Sequence, residues 1–492
     1  MDIQIIPHSL SGTVTPPPSK SQTHRLLIAA ALAAGTSTVA NISFSQDVEA
    51  TLRCLTALGG SWKQLAPDTL EITGIGGLSR EKNGELPCLD CGESGSTLRF
   101  FLPIALAVAG GGVFTGHGRL LERPQGPYFD LFREKGISYQ QKDGVLTVQG
   151  TLTPGEYHLP GNVSSQFFTG LLFALPLLER PSQIIPTTTV ESWDYILMTL
   201  DALAAAGIAV PEPRHGGVFQ VSPSPYRSFD RAVEADWSQA GFWYAAIALG
   251  AQLELEGLNA FSVQGDMAVV PHYLRLTYPG DLEIDVSGIP DLLPPLAVMA
   301  AVRSGTTRFV NAGRLRMKES DRLSTVRAML TALGGRCEEG PDSLTVTGGT
   351  LTGGTVDGAN DHRIVMAAAI AATACTDHVT ILGAEPVSKS YPTFWEEYQR
   401  LGGDIHVLCV RTPAEDQRLR PVPWGGHRRG DGRPAGRRGG GPGCAPGLSG
   451  PAQTRQKRPL HPSKGDGPPH LPLRIGKRHH LRRAAVCHDP KQ

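Results

Sequence analysis

Along residues 1–408 the apolar positions repeat in six similar units, mostly spaced about seventy residues apart. Each unit opens with a helical pattern rich in small residues, beginning near His24, Gly95, Ser164, Ser238, Pro290 and Asp361. Runs such as Leu26-Leu27-Ile28-Ala29-Ala30-Ala31-Leu32 and Ile364-Val365-Met366-Ala367-Ala368-Ala369-Ile370 leave no polar face. Helices of this kind are predicted to be buried on all sides. Most units add an amphipathic helix that stops at a glycine: residues 48–58 before Gly59, 195–206 before Gly207, 322–333 before Gly334 and 394–401 before Gly402. Glycine ends a helix there because it enters the left-handed conformation without a Cβ penalty. Segments 69–73, 145–148 and 343–347 alternate or are β-branched and read as strands. The pattern predicts an α/β protein of small sandwich units, with the fourth, from about residue 238, shorter and less regular.

A polar cluster of helix-capping type stands in front of each of the six apolar helices. The clusters are Ser19-Lys20-Ser21, Glu93-Ser94-Gly95-Ser96-Thr97, Asn162-Val163-Ser164-Ser165-Gln166, Asp236-Trp237-Ser238-Gln239, Gly288-Ile289-Pro290-Asp291 and Asn360-Asp361-His362-Arg363. Capping of free backbone N–H groups accounts for the Ser, Asp and Asn residues. It does not account for the cations and Gln. At the first start, three prolines stop at Ser19-Lys20-Ser21, with Arg25 following, which is the composition of an anion-binding helix start. If the units pack side by side, their helix N-termini converge on one cleft and favour negative charge there.

Composition narrows the class. A chain of 492 residues with 40% apolar content can bury a large core, and two or three domains are expected. Apolar stretches such as 100–109 are too short to span a bilayer, and no signal-peptide pattern is present, so a cytoplasmic protein without membrane contact is expected. The eight cysteines, including the C-x-x-C of Cys88 and Cys91, lack zinc-site spacing and read as free thiols. The net charge of zero conceals an asymmetry: residues 409–492 hold 18 of the 46 Lys and Arg but 5 of the 46 Asp and Glu, leaving 28 basic and 41 acidic residues in 1–408. That tail, rich in Arg, Gly and Pro, is predicted to be disordered. Its composition matches shifted translation of GC-rich coding DNA; the alternative is a basic nucleic-acid-binding tail.

Three more polar clusters stand beside apolar segments: Leu121-Glu122-Arg123-Pro124, Arg316-Met317-Lys318-Glu319-Ser320-Asp321-Arg322 and Val387-Ser388-Lys389-Ser390-Tyr391-Pro392. With Lys20, Arg25 and Arg363 they form a cationic set within an acidic body, which suits a small polyanionic substrate rather than nucleic acid. Read as helical, Lys318 and Arg322 would share a face at i, i+4, a like-charge pair that needs Glu319 or an anion between them. No phosphate loop, H-E-x-x-H, nucleophile elbow or complete dinucleotide motif occurs, and neither a metal nor a cofactor is expected.

Together these residues, in order, resemble the 5-enolpyruvylshikimate-3-phosphate synthase (3-phosphoshikimate 1-carboxyvinyltransferase) family. The resemblance rests on Pro18-Ser19-Lys20-Ser21 with Arg25, Gly95-Ser96-Thr97-Leu98-Arg99, Glu122-Arg123-Pro124, Gly161-Asn162-Val163-Ser164-Ser165-Gln166, Ile289-Pro290-Asp291, Lys318-Glu319-Ser320-Asp321-Arg322, Asn360-Asp361-His362-Arg363 and Ser388-Lys389. It implies two similar domains, each of three βαβαββ-type units with buried parallel helices, an inside-out α/β barrel. One domain would be residues 1–20 with 233–408, the other 21–232, with the active site in the cleft between them and the basic tail, 409–492, outside both.

The implied reaction transfers the carboxyvinyl group of phosphoenolpyruvate to the 5-hydroxyl of shikimate 3-phosphate and releases phosphate, in the route to chorismate and the aromatic amino acids. By resemblance Asp291 is the base, Glu319 protonates the methylene carbon, and Lys20 is an acid or electrostatic clamp. Lys20, Ser21, Arg25, Ser164, Ser165, Gln166, Ser192, Tyr195, Asp291 and Lys318 would bind shikimate 3-phosphate. Lys20, Gly95, Arg123, Gln166, Glu319, Arg322, Arg363 and Lys389 would bind phosphoenolpyruvate. Three positions depart from the family pattern: Glu93 and Arg314 stand where Asn is frequent, and Phe100 replaces a proline. Gly95 is retained, which implies sensitivity to glyphosate. A monomer acting on small molecules is expected, with no nucleic acid bound by residues 1–408; enolpyruvyl transfer to a UDP-sugar is the alternative activity.

Overall fold

The six apolar helices are present and sheathed by sheet on their outer sides. The computed structural model describes residues 1–76, 85–213 and 217–409, and the predicted basic tail lies outside them from residue 410 on. The helices are α1 (Lys20–Leu32), α2 (Gln46–Ala57), α3 (Gly95–Ala109), α4 (Gly126–Glu134), α5 (Ser165–Ala174), α6 (Trp193–Ala205), α7 (Trp237–Ala248), α8 (Val269–Leu276), α9 (Leu293–Val302), α10 (Arg322–Ala332), α11 (His362–Ala372) and α12 (Phe394–Arg400). The apolar set is α1, α3, α5, α7, α9 and α11; every residue of α11, and α1 from Gln22 onward, is buried. The glycines after the amphipathic helices have positive φ: Gly59 101°, Gly207 76°, Gly334 83° and Gly402 101°.

The strands of the described residues form six sheets, one per unit. In four of them a parallel pair continues into two antiparallel neighbours, as in Leu282–Asp285, Thr306–Val310, Ser343–Thr347 and Arg336–Glu339. The parallel step needs a crossover, and in three of the four the buried helix supplies it, α3, α9 or α11. The less regular fourth unit contributes a two-stranded sheet, Gln252–Leu255 beside Ser11–Val14. Two further sheets, both among those four, close with strands distant in sequence. Asp2–Ile6 pairs between Val379–Leu382 and Asp404–Cys409, and Asp230–Ala232 pairs with Thr36–Ala40.

Apolar burial separates into two cores, each of three units. One gathers Ile3 to Val14 and Ala235 to Leu401, the other Leu26 to Val233. A fully buried Leu, Ile or Phe contributes roughly 1.5–3 kcal/mol, so these helices owe their stability to burial more than to capping at about 1 kcal/mol each. The chain passes between cores twice, and the two passages lie side by side. Ser19 N donates to Glu234 O at 2.7 Å, and Asp236 N donates to Pro17 O at 2.8 Å.

Buried polar groups on α1 tie it to its neighbours. Gln22 Oε1 accepts from Glu234 N at 2.7 Å, and His24 Nδ1 lies 2.7 Å from Thr51 Oγ1 of α2. Burial, with Lys20 and Arg25 nearby, holds His24 well below its ordinary 6.5. A histidine whose folded pKa is depressed supports the fold above about pH 6.5 and loses that support as the pH falls. Replacing His24→Asn is expected to remove up to about 1.4 kcal/mol per pH unit from the slope of unfolding free energy below pH 6.5. Urea unfolding of both proteins between pH 7 and pH 5 checks this; parallel slopes would contradict it.

Candidate active site

Helix starts from both cores meet at one cleft. Ser19, Ser94, Ser164, Asp236 and Asp361 cap α1, α3, α5, α7 and α11 by accepting from backbone N–H groups. The cap of α1 is therefore Ser19, which leaves Ser21 free to face the cleft. The cleft spans about 850 Å³ including the part open to solvent. Its lining holds eight cations, Lys20, Arg25, Arg99, Arg123, Arg314, Lys318, Arg322 and Arg363, against two carboxylates, Asp291 and Glu319. Positive helix ends add to that excess, so the cleft attracts polyanions.

Asp291 sits in the turn Pro290–Leu292 ahead of α9. Its Oδ1 accepts from Lys318 Nζ at 3.2 Å and Arg322 Nη1 at 2.9 Å; its Oδ2 accepts from Arg363 Nη2 at 3.0 Å and the Tyr195 hydroxyl at 3.2 Å. Glu319 Oε2 accepts from Arg322 Nη2 at 2.6 Å, and Glu319 Oε1 lies 3.6 Å from Arg123 Nη1. Burial opposes ionisation of both acids. Arg363, Lys318 and Arg322 nevertheless hold Asp291 well below the usual carboxylate range, and Arg322 and Arg123 do the same for Glu319. Lys20 Nζ pairs with Asp47 Oδ2 at 2.9 Å. Against the effect of burial, Asp47 and Glu319 hold Lys20 above its ordinary value. Burial lowers Lys318 despite Asp291 beside it.

One expectation fails. Lys318 and Arg322 are not at helical i, i+4 spacing, because Lys318 is extended and α10 begins at Arg322 behind its cap Asp321. The two cations converge because both bind Asp291 Oδ1.

Of the expected residues, Lys20, Ser21, Arg25, Arg123, Ser164, Ser165, Gln166, Ser192, Tyr195, Asp291, Lys318, Glu319, Arg322 and Arg363 line the cleft. Gly95 and Lys389 lie outside that lining. Gly95 is the surface on which Arg123 rests: a Cβ there would meet Arg123 Nη1 at 2.5 Å and Cζ at 2.7 Å. Lys389 Nζ donates to Asn360 O at 2.9 Å and Asn360 Oδ1 at 2.8 Å and pairs with Glu93. Glu93 thus salts down a cation at the cleft edge. Arg314 pairs with Glu191 and donates to Ser192 Oγ at 2.9 Å. Phe100 lies under Arg25, its centroid 5.2 Å from Cζ.

Sequence reasoning gave no binding role to Arg99, Ser96, His362 or Asp47. Gln166 joins the first two, accepting from Arg99 Nη1 at 2.7 Å and donating to Ser96 Oγ at 2.9 Å. A charged residue inside an otherwise apolar helix was the available signal for Arg99. Burial, with Arg123 nearby, brings Arg99 down to about 9, and burial with Lys20 brings His362 down to about 3, which keeps His362 neutral. Nothing in sequence pairs Asp47 with Lys20. Among the described residues no cluster of His, Cys, Asp and Glu is arranged to hold a metal; Cys88 is exposed while Cys91 is buried 3.9 Å from Cys54.

The profile of the EPSP synthase (3-phosphoshikimate 1-carboxyvinyltransferase) family matches residues 5–277 and 280–398. A 3-phosphoshikimate 1-carboxyvinyltransferase of Clostridium kluyveri is 41% identical over 427 residues, covering 83% of this chain and 99% of the relative. That of Clostridium acetobutylicum is 42% identical over 423 residues, covering 82% and 98%. Among solved structures, EPSP synthase from Acinetobacter baumannii superposes with a TM-score of 0.67 at 24% identity, over 82% of this chain and all (100%) of that one. The enolpyruvyl transferase NikO from Streptomyces tendae gives 0.63 at 17% identity, over 82% and 98%. At those identities the two structures attest the fold, and the sequence matches carry the assignment: the chain belongs to the EPSP synthase (3-phosphoshikimate 1-carboxyvinyltransferase) family.

Proposed function

We infer that the chain transfers the carboxyvinyl group of phosphoenolpyruvate to the 5-hydroxyl of shikimate 3-phosphate and releases phosphate. Family membership supports the reaction. The observation that carries the roles is that Arg322 holds Asp291 on Nη1 and Glu319 on Nη2, setting two carboxylates side by side within a cationic wall. Asp291 takes the proton of the 5-hydroxyl while that oxygen bonds to C2 of phosphoenolpyruvate and Glu319 protonates C3. Elimination then removes a proton from C3 and expels phosphate, with the acid and base roles reversed. Within this cationic wall both carboxyls are held charged. Phosphoenolpyruvate brings anionic charge against Arg123 and Arg322, cancelling the field that depresses Glu319, so the acid gains its proton when the donor binds.

Ser164, Ser165 and the start of α5, with Lys20, Ser21, Arg25, Gln166, Ser192, Tyr195, Asp291 and Lys318, take shikimate 3-phosphate. Lys20, Arg123, Gln166, Glu319, Arg322 and Arg363, with Gly95 and Lys389 behind them, take phosphoenolpyruvate. The two cores form two lobes, residues 1–20 with 233–408 and residues 21–232, hinged at the paired passages beside Ser19 and Asp236. The cationic groups are gathered in a concavity, which favours small substrates over nucleic acid for residues 1–408. We place the protein in the cytoplasm as a monomer; among the described residues no helix is long and apolar enough to cross a membrane.

Phosphate release measured with both substrates tests this reading. Glu319→Ala is expected to lower kcat by about 10²–10⁴-fold, and Lys20→Ala to lower kcat/KM for both substrates by a comparable factor. Full activity in both variants would sink the assigned roles. A Cβ at position 95 must displace Arg123, so Gly95→Ala is expected to raise KM for phosphoenolpyruvate about tenfold, or ~1.4 kcal/mol, with the KM for shikimate 3-phosphate unchanged. Glyphosate should inhibit the parent enzyme and act less on the Gly95→Ala variant; indifference of the parent to millimolar glyphosate would refute the proposed donor pocket.

A further inference from the structure

The Tyr195 hydroxyl has one proton and two carboxyl neighbours. Its oxygen lies 2.8 Å from Asp266 Oδ2 and 3.2 Å from Asp291 Oδ2. A phenol donates one hydrogen bond, so the second contact is satisfied only if a carboxyl supplies a proton. Asp291 is held by Lys318, Arg322 and Arg363 and is the partner that stays charged. Asp266 is 5% exposed, and among the described residues its Oδ1 has no hydrogen-bond partner and its Oδ2 meets only Tyr195. A carboxylate there would be buried with the Tyr195 hydroxyl as its one possible donor, a proton that Asp291 also draws on, whereas a neutral carboxyl needs only an acceptor for its proton.

The backbone forces this contact. Asp266 sits in the short turn Gly265–Ala268, and a Cβ on Gly265 would run into Asp194 at the start of α6. That close approach presses Asp266 under Tyr195, one residue further along α6. The charged groups facing Asp266 are Asp291 ahead of α9 and Asp236 ahead of α7, which resist its ionisation, and Arg363 of α11, which favours it. Burial and Asp291 prevail and push Asp266 up to about 7.

We propose that Asp266 is carried as a neutral acid that donates to the Tyr195 oxygen and so fixes the Tyr195 O–H on Asp291, making Asp266 a positioning residue for the base. The proposal rests on the reading of Asp291 as that base. With Asp266 neutral, the only phenolic proton points at Asp291 and holds the carboxylate in one orientation. Once Asp266 ionises, two carboxylates compete for that proton and the base loses its alignment.

The experiment compares the full-length wild-type protein with Asp266→Asn and Asp266→Ala, by infrared spectroscopy and by kcat and KM across pH 6 to 9. The wild type should show a protonated-carboxyl C=O band that fades as the pH rises through about 7 and is missing in both variants. Asp266→Ala should lower kcat about tenfold with KM for shikimate 3-phosphate changed less than about threefold, and Asp266→Asn, whose amide can donate to the phenol, should recover most of that kcat. The fall of wild-type kcat above about pH 7 should be absent in Asp266→Asn. No band in the wild type, or an Asn variant as impaired as the Ala variant, overturns the proposal. A fully active Asp291→Asn variant would instead remove Asp291 as the base while leaving the infrared result standing, so the two readings fail separately.

Discussion

Arg322 is the charge on which the rest of the cleft depends. It is 1% exposed and binds three carboxylates: Asp361 through Nε at 2.8 Å, Asp291 through Nη1 and Glu319 through Nη2. Burying a guanidinium is costly unless its donors are satisfied. Here they are satisfied by acids that are themselves placed by the starts of α9 and α11 and by the turn before α10. Removing any one of the three would leave buried charge uncompensated, so structural necessity and chemical role fall on the same atoms. Burial opposes the charge of Arg322, but the surrounding acids hold its pKa above the ordinary value, and it stays charged throughout.

The fold exists to bring such groups together. A helix apolar on every face cannot lie at a surface, so six of them pack inside their sheets, and their polar ends are left at the edges of the cores. Cap residues satisfy the first backbone N–H groups, and the neighbouring Lys, Arg, Ser and Gln side chains are left over for a ligand. Because two cores contribute, the cleft collects residues as distant in sequence as Lys20 and Arg363. The same arrangement accounts for the cationic excess, part of which is met by internal pairs such as Lys20 with Asp47 and Lys389 with Glu93.

Periodicity identified all six buried helices and the four glycine stops, since both follow from local rules about burial and backbone freedom. Polar clusters at helix starts pointed to the cleft, and their order along the chain carried the family resemblance. The error at Lys318 and Arg322 came from extending α10 backward over a segment that is extended at Lys318. The apolar pattern had already begun that helix at residue 322, where Asp321 takes the cap; reading the Lys318 and Arg322 charges as one helical face went against it. Arg99 and His362 stood in motifs that carried the resemblance but received no role, because Arg99 sits in an apolar helix and His362 in a cluster explained by capping.

The amino-acid sequence by itself determined which segments bury, where helices begin and end, and which residue types are available at those beginnings, because these depend on neighbours along the chain. Only the tertiary structure decided which acid answers which cation. Asp47 meeting Lys20, Tyr195 shared between Asp266 and Asp291, and Arg123 resting on Gly95 are all contacts between segments far apart in sequence. Their partners are chosen by how the two cores pack and where the chain passes between them, and burial then decides which of those groups carries charge. The opening Ser19-Lys20-Ser21 shows both halves: a capping cluster was written in the sequence, and packing settled that Ser19 takes the cap while Lys20 and Ser21 face the cleft.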